Sequence, residues 1–268
     1  NNRGLVYSLN AALSQARGRY IARMDADDIA HPSRLQQQWQ FMEAHPDVGL
    51  CGSWAQAIGS ASHLITVPVE DSEIRATMFF DCPFVHPSVM IRASVLQALQ
   101  PVYRPVQAED YDLWCRLAGH CRMHNIAEPL LSYRLHPQQI TAASLDKVFH
   151  GAMAVRLAQA EALLGRPLDS RQQSALAALN LGRSPSQDVD AAVQLALDLV
   201  DSNRESPRYS EPVFESLVYS KLRGMLGRTG PQPLAARLAF VVREWRRLLA
   251  LLGIRRAAVI IWRYLNRK

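Results

Sequence analysis

Apolar residues recur at helical spacing near the start of the chain and are followed by a short apolar run. Leu5, Leu9 and Leu13 predict a helix over residues 5–16, and the run at residues 20–24 predicts a short buried strand. Alternation of helix and strand at this spacing is typical of a layered α/β domain. The opening of the chain therefore predicts that fold class.

The next segment repeats the pattern with a longer helix. Residues 32–44 place Leu35, Trp39 and Met42 on one helical face, which we expect to be buried. A His-Pro-Asp break follows, and the apolar run at 48–54 predicts a second buried strand. The helix is therefore expected to pack on a sheet that contains this strand.

The alternation continues to about residue 143. Predicted helices cover 71–80 and 109–117, and predicted strands cover 84–91, 125–126 and 130–135. Beyond that point the pattern changes to helices separated by Gly- and Pro-containing breaks. We therefore expect an α/β domain over residues 1–143 and an α-helical region over residues 144–268.

An acidic run follows the first predicted strand directly. Asp25, Asp27 and Asp28 would repel one another at the end of a strand, and a hard divalent cation such as Mg²⁺ or Mn²⁺ would offset that repulsion. The ends of parallel strands are also where open α/β sheets bind ligands. The alternative is a solvated acidic turn that caps the next helix.

Positive charge is concentrated at the C-terminal end of the chain. Between Arg237 and Lys268 there are nine basic residues and one acid, a net charge of +8, whereas the whole chain carries +6. Arginines and tryptophans lie among leucines there, so residues 234–268 are predicted to form an amphipathic helix on an anionic membrane surface. The alternative is a basic helix packed on the protein. No aromatic-basic recognition motif accompanies the charge, so we expect no nucleic-acid binding.

The cysteines and the hydropathy pattern bear on the compartment. The four cysteines form no C-x-x-C pair, so we expect free thiols in a reducing cytoplasm. No signal peptide is visible, and no apolar run is long enough to span a bilayer. We therefore expect a cytoplasmic protein, held peripherally at the inner face of the plasma membrane by its basic tail.

Three further motifs follow the acidic run, and each alone is a weak signal. They are Phe-Val-His-Pro-Ser at 84–88, Glu-Asp-Tyr-Asp-Leu-Trp at 109–114, and Tyr-Arg-Leu-His at 133–136. In this order and context, together with Asn-Arg-Gly-Leu at 2–5 and Ala-Arg-Gly-Arg-Tyr-Ile-Ala-Arg-Met-Asp-Ala-Asp-Asp at 16–28, the chain resembles bacterial glycosyltransferase family 2. The resemblance covers residues 1–140. It implies the nucleotide-sugar-binding GT-A fold, a Rossmann-like mixed α/β sheet, with a helical C-terminal extension here.

The resemblance implies a donor site around the acidic run. Asp25 and Asp27 match the family's D-x-D motif, in which Asp25 would face the ribose and Asp27 would bind Mn²⁺ or Mg²⁺ with Asp25 beside it. Asp28 would support the turn, and His136 matches a histidine that can complete the metal shell. Arg34 could contact the donor diphosphate, and a helix-surface role is the alternative.

The resemblance also implies a catalytic base and a donor loop. Asp110 would deprotonate the acceptor hydroxyl, with Glu109 beside it, and His86 would lie in the loop that faces the sugar donor. A single base and a single attack invert the anomeric centre, whereas retention by double displacement needs a nucleophilic carboxylate. The alternative for Glu109 and Asp110 is helix capping, and the alternative for His86 and His136 is a structural role.

The expected function is an inverting, metal-dependent transfer of sugar from a nucleotide-sugar, a UDP-sugar first of all, to a glycan or lipid-linked acceptor. It would act in bacterial cell-surface polysaccharide or lipopolysaccharide synthesis. Residues 1–4 predict a loop without a preceding strand, so we expect the family's N-terminal strands to be missing from residues 1–143. Two alternatives remain: a non-catalytic fragment or binding module, and a nucleotidyltransferase that releases pyrophosphate.

Overall fold

The computed structural model describes residues 2–136, 145–181 and 189–226. The chain forms two compact units, residues 1–159 and 160–268. The predicted domain boundary at residue 143 and the predicted amphipathic helix at 234–268 both fall outside the described residues.

The first unit consists of alternating helices and strands. Its elements are α1 (Leu5–Gln15), β1 (Tyr20–Ala22), β2 (Ile29–Ala30), α2 (Arg34–Ala44), β3 (Val48–Gly59), β4 (Leu64–Ile65), α3 (Asp71–Met78), β5 (Met90–Arg92), α4 (Ala93–Leu96), α5 (Glu109–Leu117) and β6 (Arg122–Leu135). The predicted helices at 5–16 and 109–117 are confirmed to within one residue.

The strands form one mixed sheet in the order β1-β5-β3-β6-β2, with β4 paired to β3. The long strands β3 and β6 run parallel, whereas β1, β2 and β5 pair antiparallel to their neighbours. The predicted α/β fold with a mixed sheet is confirmed. Because β1 and β2 are the two edge strands of this order, the acidic segment 23–28 between them crosses from one edge of the sheet to the other.

Two strand predictions need correction. Residues 84–91 do not form one strand, because Pro87 has no N–H for a ladder and lies in a 3₁₀ turn, His86–Ser88; only β5 remains extended. The two short strands predicted at 125–126 and 130–135 are a single strand, β6, with an irregular register beside Pro129. The sequence pattern is interrupted where the strand pairing is irregular, so the prediction gave two strands instead of one.

The buried face of α2 is also different from the prediction. Leu35 and Trp39 are 56% and 48% exposed, whereas Arg34, Gln38 and Met42 are buried. The polar ends of Arg34 and Gln38 find backbone carbonyls inside the protein, so their burial leaves few unmet hydrogen bonds. Apolar periodicity therefore identified the helix and the burial of Met42, but it placed Leu35 and Trp39 on the wrong face.

The core of the first unit packs helices α3 and α5 on the sheet. Leu50 of β3 and Ile91 of β5 join one buried cluster with Ile74 of α3 and with Leu113 and Trp114 of α5. Burial of such side chains stabilises by about 1.5–3 kcal/mol each relative to exposure. The first turn of α5 is thereby held in a fixed place.

Within the described residues, four helices follow the sheet. They are α6 (Leu145–Leu164), which crosses the boundary between the units, and α7 (Ser170–Leu181), α8 (Val189–Glu205) and α9 (Glu211–Leu226) of the second unit. Within the second unit, α8 packs against both α7 and α9. The prediction of a helical C-terminal region is confirmed for these described helices. None of the described helices is long and apolar enough to cross a membrane.

Candidate active site

The acidic segment leaves β1 with an arginine that the sequence analysis did not single out. The backbone N–H of Arg23 donates to the carbonyl of Val89 at 3.0 Å, which anchors the start of the segment on the loop before β5. The Arg23 guanidinium then contacts both carboxylate oxygens of Asp25, each at 2.6 Å. The Asp25 carboxylate therefore forms a salt bridge with the Arg23 guanidinium.

Asp28 ties the acidic segment to the end of β6. Its Oδ1 accepts the backbone N–H of Arg134 at 2.8 Å, while its buried Oδ2 has no hydrogen-bond partner among the described residues. Burial raises the pKa of Asp28; the Arg134 N–H opposes this rise, and the nearby charges of Asp25 and Asp27 add to it. This geometry agrees with the supporting role that the resemblance implies for Asp28.

Asp27 and His136 meet at the open side of the same turn. His136 Nε2 lies 3.0 Å from Asp27 Oδ2, and the Arg134 Nε donates to the backbone carbonyl of Asp27 at 2.7 Å. The two side chains are 42% and 34% exposed. Two of the three predicted metal ligands are therefore brought together across 109 residues of sequence.

The third predicted ligand does not join them. The carboxylate of Asp25 contacts Arg23, and no group of three or more His, Cys, Asp or Glu side chains within residues 2–136, 145–181 and 189–226 is arranged to hold a metal ion. A carboxylate oxygen and an imidazole nitrogen still form a donor pair that suits Mn²⁺. Mg²⁺-type sites commonly draw their other ligands from water and phosphate oxygens, so the pair fits a cation that arrives with a diphosphate.

The structure corrects both readings of Arg34. Its side chain is 1% exposed, and its guanidinium donates to the backbone carbonyl of Arg23 at 2.7 Å and to Gln38 Oε1 at 3.1 Å. Burial lowers its pKa to about 10. Arg34 is thus neither on the helix surface nor turned toward a ligand; it holds the backbone at the start of the acidic segment from inside.

The second group of carboxylates lies at the first turn of α5. Asp110 Oδ1 accepts the N–H of Tyr111 at 2.8 Å, and Asp110 Oδ2 lies 3.8 Å from Cys82 Sγ. Burial raises the pKa of Asp110, which the Tyr111 N–H and the charge of Arg23 partly oppose. Burial also raises the pKa of Glu109, and the adjacent Asp110 charge adds to it. Both acids thus hold protons more strongly than exposed carboxylates.

His86 lies against this second group. Its Nε2 is 3.0 Å from the Tyr103 hydroxyl, its Nδ1 is 3.9 Å from Asp110 Oδ2, and its ring meets Trp114 edge-on. Burial and the charge of Arg23 hold the pKa of His86 well below its ordinary value, so the ring is neutral at pH 7. The structure therefore places His86 beside the predicted base.

Arg23 connects the two groups of carboxylates electrostatically. Its charge lowers the pKa of Asp110 and of Glu109, and the charge of Asp25 raises the pKa of Glu109. The acidic segment and the start of α5 therefore act on each other within one site. A charged residue at the end of an apolar run, two positions before Asp25, was the signal that could have identified Arg23. Tyr103 carried no such signal.

Comparisons with known proteins match the part of the chain that contains the acidic segment. A family model described as glycosyl transferase family 2 matches residues 1–99. An uncharacterized glycosyltransferase of Methanocaldococcus jannaschii is 36% identical over 139 residues, covering 50% of this chain and 48% of that protein. The O-antigen biosynthesis glycosyltransferase WbnJ of Escherichia coli is 31% identical over 147 residues, covering 53% and 57%.

A third curated relative and a solved structure also match this chain. The amylovoran biosynthesis glycosyltransferase AmsE of Erwinia amylovora is 33% identical over 139 residues, covering 50% of this chain and 51% of that protein. A crystal structure of S. aureus TarS with UDP-GlcNAc has a TM-score of 0.45 at 14% identity, covering 95% of this chain and 70% of that one.

The matched region coincides with part of the site. The chain spans about half the length of the curated relatives that it matches. The family match contains Arg23, Asp25, Asp27, Asp28 and His86, and the pairwise relatives extend over a longer stretch. Residues 1–99 therefore match glycosyl transferase family 2, and the mixed α/β sheet of the first unit agrees with that match.

Proposed function

We propose that this chain provides the catalytic site of an inverting, metal-dependent glycosyltransferase that moves sugar from a UDP-sugar to the hydroxyl of a glycan or lipid-linked acceptor. The observation that carries the proposal is the pairing of two unlike carboxylate groups in one electrostatic site. An accessible Asp27–His136 pair stands beside the acidic turn, and Asp110, with a raised pKa, stands at the start of α5. Sugar transfer of this kind needs a cation at the leaving diphosphate and a base at the acceptor hydroxyl.

Asp27 and His136 would hold the Mn²⁺ or Mg²⁺ of the donor. When bound, the cation would neutralise the charge that develops on the leaving diphosphate, as a Lewis acid does. Asp28 and Arg134 keep the turn and the end of β6 in register, so that the ligand pair stays together. Asp25, held by Arg23, would accept hydrogen bonds from the ribose hydroxyls.

Asp110 would take the proton of the acceptor hydroxyl. As the acceptor oxygen forms its bond to the anomeric carbon, the bond from that carbon to the diphosphate oxygen breaks, and its electron pair leaves with the nucleoside diphosphate. The acceptor proton passes to the Asp110 carboxylate. A general base contributes about 10²–10⁴-fold in rate, and a pKa raised toward the working pH improves it. One attack without a covalent intermediate inverts the anomeric centre.

The names of two relatives support the pathway. WbnJ is named for O-antigen biosynthesis and AmsE for amylovoran biosynthesis, and both are bacterial. We therefore place the reaction in bacterial cell-surface polysaccharide synthesis, at the cytoplasmic face of the membrane.

Membrane contact would come from the basic residues at 234–268. Their net charge of +8 between Arg237 and Lys268 favours an anionic leaflet. Flotation with anionic liposomes tests this: binding should fall with salt and disappear when 234–268 are deleted. Undiminished binding of the truncated chain would refute the contact.

The proposed function is tested by following Mn²⁺-dependent release of UDP from a panel of UDP-sugars with added glycan acceptors. The assay uses this chain, with EDTA as a control. Release of UDP, abolished in Asp110→Asn, is expected. Release of pyrophosphate would indicate a nucleotidyltransferase instead, and donor binding without turnover would indicate a binding module.

A further inference from the structure

We propose that Tyr103 and His86 form a hydrogen-bonded chain that positions the carboxylate of Asp110, and that Asn10 of α1 holds this chain in place. The inference deepens the proposed function, on which it rests, by assigning positioning residues to its base. It starts from contacts that join α1, the turn before β5, the loop between α4 and α5, and the first turn of α5.

Asn10 clamps the backbone of Tyr103. Its Nδ2 donates to the Tyr103 carbonyl at 2.8 Å, and its Oδ1 accepts the Tyr103 N–H at 3.0 Å. A side-chain amide that satisfies both backbone groups of one residue fixes that residue in position and orientation. The loop between α4 and α5 is thereby anchored at the residue whose hydroxyl reaches the site.

The hydroxyl of Tyr103 determines which nitrogen of His86 carries the proton. Tyr103 is only 3% exposed, and burial raises the pKa of its phenol far above the ordinary value, so the hydroxyl stays protonated. It lies 3.0 Å from His86 Nε2. In a neutral imidazole one nitrogen donates and the other accepts. If the phenol donates to Nε2, the ring proton must lie on Nδ1.

The Nδ1 side of the ring faces Asp110. Nδ1 lies 3.9 Å from Asp110 Oδ2, just beyond hydrogen-bond length, and contacts in catalytic sites often shorten when substrate binds. The opposite tautomer would turn an acceptor lone pair toward the carboxylate, which is unfavourable. The edge of Trp114, with ring centroids 5.7 Å apart, packs against the imidazole and restricts its rotation.

Asp110 is then held at both oxygens. Oδ1 accepts the Tyr111 N–H, while Oδ2 accepts the Cys82 S–H at 3.8 Å and lies 3.9 Å from His86 Nδ1. The Tyr111 and Cys82 contacts hold the carboxylate, and the proposed Nδ1–H of His86 would direct Oδ2 further. Misplacement of a reacting group by about 1 Å can cost about 10²-fold in rate, so a positioning residue can have a large effect without touching substrate.

A first experiment reads the tautomer directly and needs no activity. The chain is labelled with ¹⁵N-histidine, and the His86 signals are assigned by their loss in His86→Asn. We expect a protonated Nδ1 and an unprotonated Nε2 in the native protein, and a change of the His86 signals in Tyr103→Phe. A proton on Nε2, or signals unaffected by Tyr103→Phe, would overturn the proposal. Tyr7→Phe, at an exposed tyrosine, is the matched control.

A second experiment separates positioning from packing. In His86→Asn the side-chain amide can replace the Nδ1 donor, whereas in His86→Gln it can replace only the contact with Tyr103. We expect kcat to fall about tenfold or more in His86→Gln with KM nearly unchanged, and to be largely retained in His86→Asn. Equal losses in both, or none in either, would contradict the positioning role. His120→Asn, at an exposed histidine, controls for the substitution itself.

The two experiments also distinguish failure of this inference from failure of the proposed function. If the native protein transfers sugar from no donor, the proposed function fails, and the tautomer measurement still decides whether the chain from Tyr103 to Asp110 exists. If transfer is observed and the tautomer is the opposite one, only the positioning chain is refuted.

Discussion

The two groups of carboxylates in this site have the same chemistry and different surroundings. In the acidic turn, Asp25 is bonded to Arg23 and Asp27 to His136, and Asp27 keeps 42% of its side chain in solvent. At the start of α5, Asp110 is 24% exposed, faces a neutral histidine, and has a raised pKa. Under the proposed function, the surroundings and not the residue type would suit one group to the cation and the other to the proton.

The largest effect is expected from removing the proposed proton acceptor. In Asp110→Asn the amide keeps the shape of the side chain and cannot take a proton, so kcat should fall by about 10²–10⁴-fold. Binding of UDP with Mn²⁺ should be nearly unchanged in calorimetry. Asp47→Asn, an exposed aspartate paired with Arg122, should be fully active. Full turnover in Asp110→Asn would remove Asp110 as the base.

The next largest effect concerns the support beneath the acidic turn. Arg34→Gln would leave the part-buried carbonyl of Arg23 without its donor and should lower the free energy of unfolding by about 2–3 kcal/mol. The neighbouring exposed change Leu35→Ala should stay within about 0.5 kcal/mol. Urea unfolding measures both. A variant that loses nucleotide affinity with unaltered stability would instead show that Arg34 contacts the donor.

The proposed cation site at Asp27 and His136 is tested by Asp27→Asn. Loss of its charge should weaken Mn²⁺-dependent binding of UDP about tenfold or more, because carboxylate oxygen is the stronger ligand for a hard cation. Binding measured in EDTA should be the same in the variant and in the native protein. His136→Gln should have the same direction and a smaller effect. Unaltered Mn²⁺ dependence in Asp27→Asn would contradict the assignment.

The smallest effect is a shift in pH dependence through Arg23. Asp110 acts as a base only when deprotonated, so activity should rise as pH passes upward through its raised pKa. The charge of Arg23 lowers that pKa, and Arg23→Gln removes the charge. The acidic limb of the kcat profile should therefore move to higher pH. Arg19→Gln, at an exposed arginine paired with Glu43, should leave it in place, and a limb that moves to lower pH in Arg23→Gln would contradict the argument.

Sequence patterns predicted elements better than they predicted faces. The helix at α5 was predicted with its observed bounds, since acids in its first turn and apolar residues at helical spacing agree there. On α2 the apolar residues Leu35 and Trp39 pointed to the wrong face. Arginine is rarely buried, so the sequence pattern alone predicts that Arg34 is exposed. Its burial becomes favourable only in the folded protein, where the Arg23 carbonyl accepts a hydrogen bond from its guanidinium.

The sequence by itself determined the α/β class, the acidic turn after β1, the acids at the start of α5 and the resemblance to family 2. These depend on local composition and on the order of short motifs along the chain. Only the tertiary structure decided that His136 meets Asp27, that Arg34 lies inside, and that Tyr103 faces His86. Such contacts join residues up to 109 positions apart, and burial and pairing exist only once the sheet brings the segments together.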